Sequence, residues 1–363
     1  MSREVTNRQL VMILVIMLAT TAPTFLSKTM AEATEGGFWF AILVTGVIFS
    51  LLALLITLLQ RKNPGKTLFD HAKDAFGPFW ANVIALIYIV FFLLALIFIT
   101  TDIVSMVSAN LLLKTPKWFI LFFTLAVSGY GAAKGITNIA RLFEIYGFFA
   151  LTGSVILYVI MLFLGDINYI RPLFVKEDLG RYFGAVWKTA FAFVGLEIIT
   201  VIPFAKQNKK FPLVSVISTL GIALFYILSV GASIMMIGME EIRFYKYPVM
   251  TAIRQIDIIQ IDFLQRFDVV HLFVLLMGAN ASFMLTSCGG VEYMTKAFPK
   301  MKRIIAVLLL TAMAFAGGIF ASFFENFHDI AINVLTYYMI FTAFIIPVLL
   351  LIFGRRKRNA ETA

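Results

Sequence analysis

A single cysteine, Cys288, stands in 363 residues, so no internal disulfide can form and no cysteine cage can hold a metal. It sits in an apolar run, where a thiol behaves as a small core hydrophobe. The three histidines, His71, His271 and His328, lie far apart in the sequence and offer no metal-ligand spacing. No HExxH pattern, phosphate-cradling glycine loop or nucleophile–base pair occurs, so neither catalysis nor a cofactor is expected. Charge is also scarce. Asp, Glu, Lys and Arg make up 14% of the chain, against about 25% in a soluble domain. Acidic residues are the rarer kind, 20 against 30 Lys and Arg, which leaves a net charge of +10. That surplus does not describe a nucleic-acid surface. The cations fall in short clusters between apolar runs and end in Arg355-Arg356-Lys357-Arg358, with no basic domain to hold a polyanion.

What fills the chain is apolar. Hydrophobic residues reach 61%, 38 of them Phe, and the mean hydropathy is +0.94. No soluble core of this length could hide that much apolar surface, whereas lipid can act as its solvent. The expected fold class is therefore an all-α integral membrane protein, one polytopic domain over 1–363. At about 20 apolar residues per crossing, ten spans are expected: 8–28, 38–59, 79–113, 118–133, 139–164, 183–205, 212–238, 269–298, 304–324 and 330–353. The first apolar run lacks a small-x-small cleavage site and is read as a retained span. The third is long enough to demand tilt or extension beyond the bilayer.

Lys and Arg favour the cytoplasmic side. Placing the N-terminus inside puts 19 of the 30 on inner segments, and an even number of spans then leaves both termini cytoplasmic. Three pieces do not span. An amphipathic stretch over 67–75 suits the inner surface. An outer loop covers 167–181. The segment 239–268 is too long for a simple connector. In it Ile253, Ile256, Ile259 and Ile261 are interspersed with Arg254, Asp257, Gln260 and Asp262, which suits either a lid over the outer mouth or a loop resting on lipid headgroups.

The informative feature is irregularity inside apolar runs. The first span contains Ala19-Thr20-Thr21-Ala22-Pro23-Thr24. Proline removes a backbone donor and pushes its predecessor out of helical geometry. The sixth contains Phe193-Val194-Gly195-Leu196-Glu197, followed by Thr200 and Pro203. Glycine loosens a helix, and a carboxylate in mid-membrane is costly and marks function. Five spans precede Gly165 (8–164) and five follow Lys176 (180–353), so the two halves have opposite orientation and the breaks fall in the first span of each. Interrupted helices at matching positions of inverted halves point to a midplane site. Unwound backbone leaves free N–H groups at one half-helix start and free C=O groups at the other end, which suits a zwitterion such as an amino acid.

The expected ligand-binding set is Thr20, Thr21, Pro23, Phe193, Gly195, Glu197, Thr200, Asn280 and Ser282. Glu197 could accept a proton, pair with an ammonium, or hydrogen-bond the broken first helix; a structural helix–helix bond is the plainer alternative. Asn280 and Ser282 interrupt the eighth span beside Gly278, where small polar residues equally serve close packing. Asp102, in the outer part of the third span, either pairs across the bundle or faces an aqueous vestibule. Glu144 follows Arg141 by three positions, which favours a local ion pair.

Several short pieces together resemble a known family: Arg141-Leu142-Phe143 entering the fifth span, Arg171-Pro172 in the outer loop, Phe193 to Glu197 with Pro203 and the basic run 206–210, and Arg266-Phe267-Asp268 before the eighth span. In their order and spacing they resemble the B subunit of bacterial spore germinant receptors, within the amino acid/polyamine/organocation transporter superfamily. The resemblance covers essentially the whole chain. It implies a leucine-transporter-like bundle of two five-helix inverted repeats with helices 1 and 6 broken. It implies a place in the spore inner membrane, partner A and C subunits, and recognition of a small-molecule germinant, often an amino acid. An amino-acid permease, proton-coupled through Glu197, is the alternative. One departure is that relatives often carry glycines at the first break, where this chain has Ala19, Thr20 and Thr21. Their side chains narrow the space beside the backbone and add hydroxyls.

Overall fold

The computed structural model describes residues 5–61, 64–204, 208–256, 267–324 and 327–361, and among these the chain is helical, with one isolated bridge between Val5 and Phe204. The helices are α1 (Asn7–Ala19), α2 (Pro23–Ala33), α3 (Phe38–Arg61), α4 (Leu68–Phe76), α5 (Pro78–Asn110), α6 (Lys117–Lys134) and α7 (Ile136–Leu164). They continue as α8 (Leu179–Ala190), α9 (Phe211–Ile237), α10 (Pro248–Arg254), α11 (Phe267–Ala297), α12 (Arg303–Ala321), α13 (Phe327–Met339) and α14 (Ile346–Glu361).

Local sequence explains their limits. Thr6 and Gln9 form a reciprocal capping box at the start of α1. Proline stands in the first turn of α2, α5, α9 and α10, where its missing N–H leaves no bond unmade. Within the helices, hydroxyls bond back along their own turn, as Thr45 to Ala41 O, Thr57 to Ala53 O and Ser233 to Ser229 O. Such bonds keep polar atoms satisfied where no water reaches.

Seven described helices are long and apolar enough to cross a membrane, and the bent pair α1–α2 makes an eighth if counted as one span. The other two expected crossings fall short of that measure for identifiable reasons. Helix α6 is 18 residues long with a lysine at each end. The segment expected at 183–205 is no continuous helix: α8 gives way to short 3₁₀ turns at Phe191–Phe193 and Leu196–Val201. Helices α13 and α14 form one crossing through a π-helical turn, Ile340–Ile345.

The core pairs elements distant in sequence: α5 lies along α11, α3 along α9, and α1 is enclosed by α7, α9 and α11. Small residues let these backbones approach. A Cβ on Gly46 would lie 2.3 Å from that of Ala223, and one on Gly289 would lie 2.6 Å from the Phe92 ring. Glu144 pairs with Arg8 at 3.3 Å and accepts from Gln9, tying α7 to α1. The outward faces stay apolar, as at Phe149 and Phe163 on α7 and Leu51 on α3.

The amphipathic 67–75 stretch is α4, with Leu68, Phe69 and Ala72 buried. Asp70 accepts from Thr67 N–H at 2.9 Å and from the Lys296 ammonium on α11. In the 239–268 segment, α10 packs on α2, α9 and α11, and Ile253 and Ile256 are buried. Arg243 Nε donates to Ala31 O at 3.0 Å, fastening the segment to α2. Ile259, Ile261 and the rest of 257–266 lie outside the described residues.

Candidate solute site at two helix breaks

Helices α1 and α2 meet at 56° across residues 20–22, and Pro23 opens α2. In the other half, Gly195 lies between the two 3₁₀ turns at φ +114°, a left-handed conformation that a side chain would strain. The breaks face each other. A Cβ on Gly195 would come within 2.8 Å of the Met17 methyl on α1.

Tyr226 of α9 joins them. Its hydroxyl lies 2.8 Å from Leu18 O, near the end of α1, and 2.7 Å from Ala192 O, in the 3₁₀ turn that follows α8. These carbonyls belong to helix ends, where intrahelical donors run out. A phenol has one proton and donates to one carbonyl at a time. Phe193 stacks on Phe49 at 4.8 Å and meets Tyr226 edge-on at 5.4 Å.

Ile16 O, one turn before the first break, accepts from Ser282 Oγ at 2.7 Å and from Thr20 Oγ1 at 2.8 Å. Thr20 also rests on Gly278, where a Cβ would lie 2.5 Å from its methyl. Thr21 contributes its carbonyl, which accepts from Thr24 Oγ1 at 2.6 Å. Pro23 is buried and starts the next helix. Asn280 stands two positions from Ser282, so the two point to different sides of α11. Its amide donates to Leu276 O at 2.9 Å, and no described hydrogen bond links it to either break.

Glu197 is fully buried, and its carboxylate stays within its own half of the bundle. One oxygen accepts from Gly195 N–H at 3.0 Å, the other from Thr342 Oγ1 at 3.0 Å. Thr342 lies in the π-helical turn, and its carbonyl takes the Tyr88 hydroxyl at 2.5 Å. Tyr88 stacks on Tyr293 at 4.5 Å, and Tyr293 donates to Thr200 Oγ1 at 2.9 Å. Gln60 Nε2 caps Ile199 O at 2.9 Å. Glu197 and Thr200 thus belong to one polar network, while Thr20 and Ser282 belong to another, with Gly195, Met17 and Tyr226 between them.

Sequence reasoning did not single out Tyr226, Tyr88, Tyr293 or Thr342. The usable signal was a tyrosine in mid-span, whose hydroxyl must find a partner when buried. A small cavity of about 20 Å³ adjoins the first break, between Thr20, Tyr158 and His271. It has room for a water but not for an amino acid. Among the described residues, no three His, Cys, Asp or Glu gather as metal ligands.

Comparison with known proteins agrees with this architecture. MhsT, solved in complex with L-phenylalanine, superposes with a TM-score of 0.70 at 14% identity, covering 97% of this chain and 99% of that one. Mhp1, a nucleobase-cation-symport-1 family transporter solved in a closed conformation, gives 0.67 at 15% identity, covering 95% of this chain and 78% of its own. At such identities the likeness is one of fold: an all-α, leucine-transporter-like membrane bundle. In sequence, the chain is 29% identical over 322 residues to spore germination protein B2 of Bacillus subtilis, covering 86% of this chain and 83% of the relative. It is 25% identical over 344 residues to spore germination protein A2 of the same organism, covering 92% and 90%. The family model described as spore germination protein matches residues 4–330. The chain is a multi-pass membrane protein of the receptor and transporter kind, not an enzyme, and it belongs to the spore germination protein family.

Proposed function

We propose that the chain is the germinant-sensing membrane subunit of a spore germination receptor, and that it binds a small nutrient, an amino acid, between the two broken helices. The observation that carries this reading is the convergence of Leu18 O and Ala192 O on one hydroxyl. Two acceptors share a single proton, and an arriving ammonium brings three. Gly195 leaves the space a side chain would take, and Thr20 and Thr21 shape the wall at the first break. Binding shifts the bundle between states only by the difference in affinity for them, and displacing Met17 or Tyr226 is the difference available here. The family resemblance further implies A and C partner subunits and the spore inner membrane, and the distribution of Lys and Arg favours cytoplasmic termini.

The test is germination itself. Deleting the gene should abolish the response to the nutrient while uptake by growing cells stays normal. Robust accumulation of labelled amino acid in vesicles would instead favour a permease, for which the buried carboxylate of Glu197 is the observation in hand. Glu197→Gln and Gly195→Leu should impair the response with the protein still present in the membrane, and Thr21→Val should change which nutrients act. An unaltered response in the first two variants would remove the midplane site.

A further inference from the structure

A second cavity, of about 540 Å³, lies away from both breaks, between α5, α6, α12, α13 and the 241–247 segment. None of its lining residues comes from α1, α2 or 191–201. Its volume lies within the range that holds small ligands.

The cavity is built around Asp102. This carboxylate stands in a membrane-crossing helix with its side chain only 9% exposed. Its closest described side-chain partner is His328 Nδ1 at 3.5 Å, beyond a normal hydrogen bond. An imidazole lends a full charge only when protonated. A buried anion so loosely matched is costly to keep, and in a membrane helix it marks a binding or transport role. Lys117 and Lys246 line the same cavity, with Lys246 held over the Tyr247 ring at 5.5 Å. Phe98, Trp118 and Phe327 supply aromatic wall.

The charge pattern selects the class of occupant. A simple cation would meet two lysine ammoniums, and a simple anion would meet the buried carboxylate. A molecule carrying both an ammonium and an anionic group satisfies both and can lay an apolar part on the rings. We propose that this cavity is a second binding site, for a small ammonium-bearing zwitterion, with Asp102 taking the ammonium and Lys117 and Lys246 the anionic end. Free amino acids have this chemistry, and so does a phosphatidylethanolamine headgroup. The site reaches the breaks through one layer of rings, since Phe98 packs on Phe191 at 5.0 Å and His328 on Phe25 at 6.2 Å.

The experiment uses the full chain in nanodiscs of phosphatidylglycerol, which carries no ammonium, and reads the melting temperature with each common L-amino acid in turn. At least one should raise it by a few degrees. Asp102→Asn should weaken the apparent affinity tenfold or more, and Glu197→Gln should leave that shift in place. Ser105→Phe, which fills the cavity and keeps the carboxylate, should do the same as Asp102→Asn and covers the case in which that variant does not fold. A second arm adds phosphatidylethanolamine to the nanodiscs. An upward shift there that Asp102→Asn or Ser105→Phe abolishes identifies the lipid headgroup as the source. No shift in either arm, or shifts that survive both cavity variants, would overturn the site. Shifts lost only in Glu197→Gln would do so too, and would support the central site instead.

Discussion

At Gly195 two constraints coincide: a φ of +114° and a Met17 methyl 2.8 Å from where a Cβ would stand. Left-handed geometry costs a side-chain-bearing residue about 1–2 kcal/mol, and the contact adds to it. Gly195→Ala should therefore lower stability by at least that amount in denaturation of the detergent-solubilised protein. Measured against a Met17→Ala background, which removes the contact at the cost of its own cavity, the same substitution should cost only the backbone part. If it cost nothing in that background, the left-handed turn would not matter. Tyr226→Phe keeps the ring against Phe193 and deprives Leu18 O and Ala192 O of their shared donor. A buried acceptor left unpaired costs about 1–3 kcal/mol, so this variant should melt lower, and added amino acid should recover more stability than in the wild type. Gly195 was legible in the sequence because glycine beside a mid-membrane carboxylate is conspicuous. Tyr226 was not, because nothing near it in the chain tells which distant carbonyls it will reach.

Individual elements show the same division. Capping boxes, first-turn prolines and terminal glycines set most helix ends within a few residues of their expected places, since these are local effects. The 67–75 stretch was readable as a surface helix from its amphipathic pattern, but its anchor was not. Burial pushes the Asp70 carboxyl up; the Lys296 ammonium and the Thr67 N–H and hydroxyl outweigh this and hold it below its ordinary range. A carboxyl lowered on folding stabilises fully above its unfolded pKa, about 3.9, and loses that contribution as the pH falls through its folded value. Asp70→Asn should thus melt below the wild type at pH 7, by about 1–2 kcal/mol for cap and ion pair together, with the gap closing below about pH 4. A gap constant with pH would show that the charge has no part in holding α4. Glu144 is a further case: its described partners are Arg8 and Gln9 on α1, contacts that spacing along α7 could not reveal.

For the whole molecule, Cys288 gives a clean probe. It is fully buried, and Arg303 Nη2 lies 3.4 Å from its sulfur while also donating to Ala132 O at 2.8 Å. A maleimide should leave it unlabelled in intact membranes and label it once detergent unfolds the chain. Labelling that begins on adding a nutrient would report opening beneath Arg303. Rapid labelling of the resting protein would mean that this packing does not persist in the bilayer.

By itself the amino-acid order determined the solvent this chain folds in, its helical class and the two places where regular backbone fails. Each follows from composition or from neighbours within a turn: apolar runs require lipid, and Pro23 or Gly195 disturbs its own helix. Tertiary structure decided what the failures amount to. It brought Leu18 O and Ala192 O to one phenol, sent Glu197 to Thr342 instead of to the first helix, and turned Asn280 away from Ser282. It also set Asp102 beside His328 from the far end of the chain. Those outcomes depend on which helix faces pack together across hundreds of residues, and a hydrogen bond formed at 3 Å carries no mark in the order of residues along the chain.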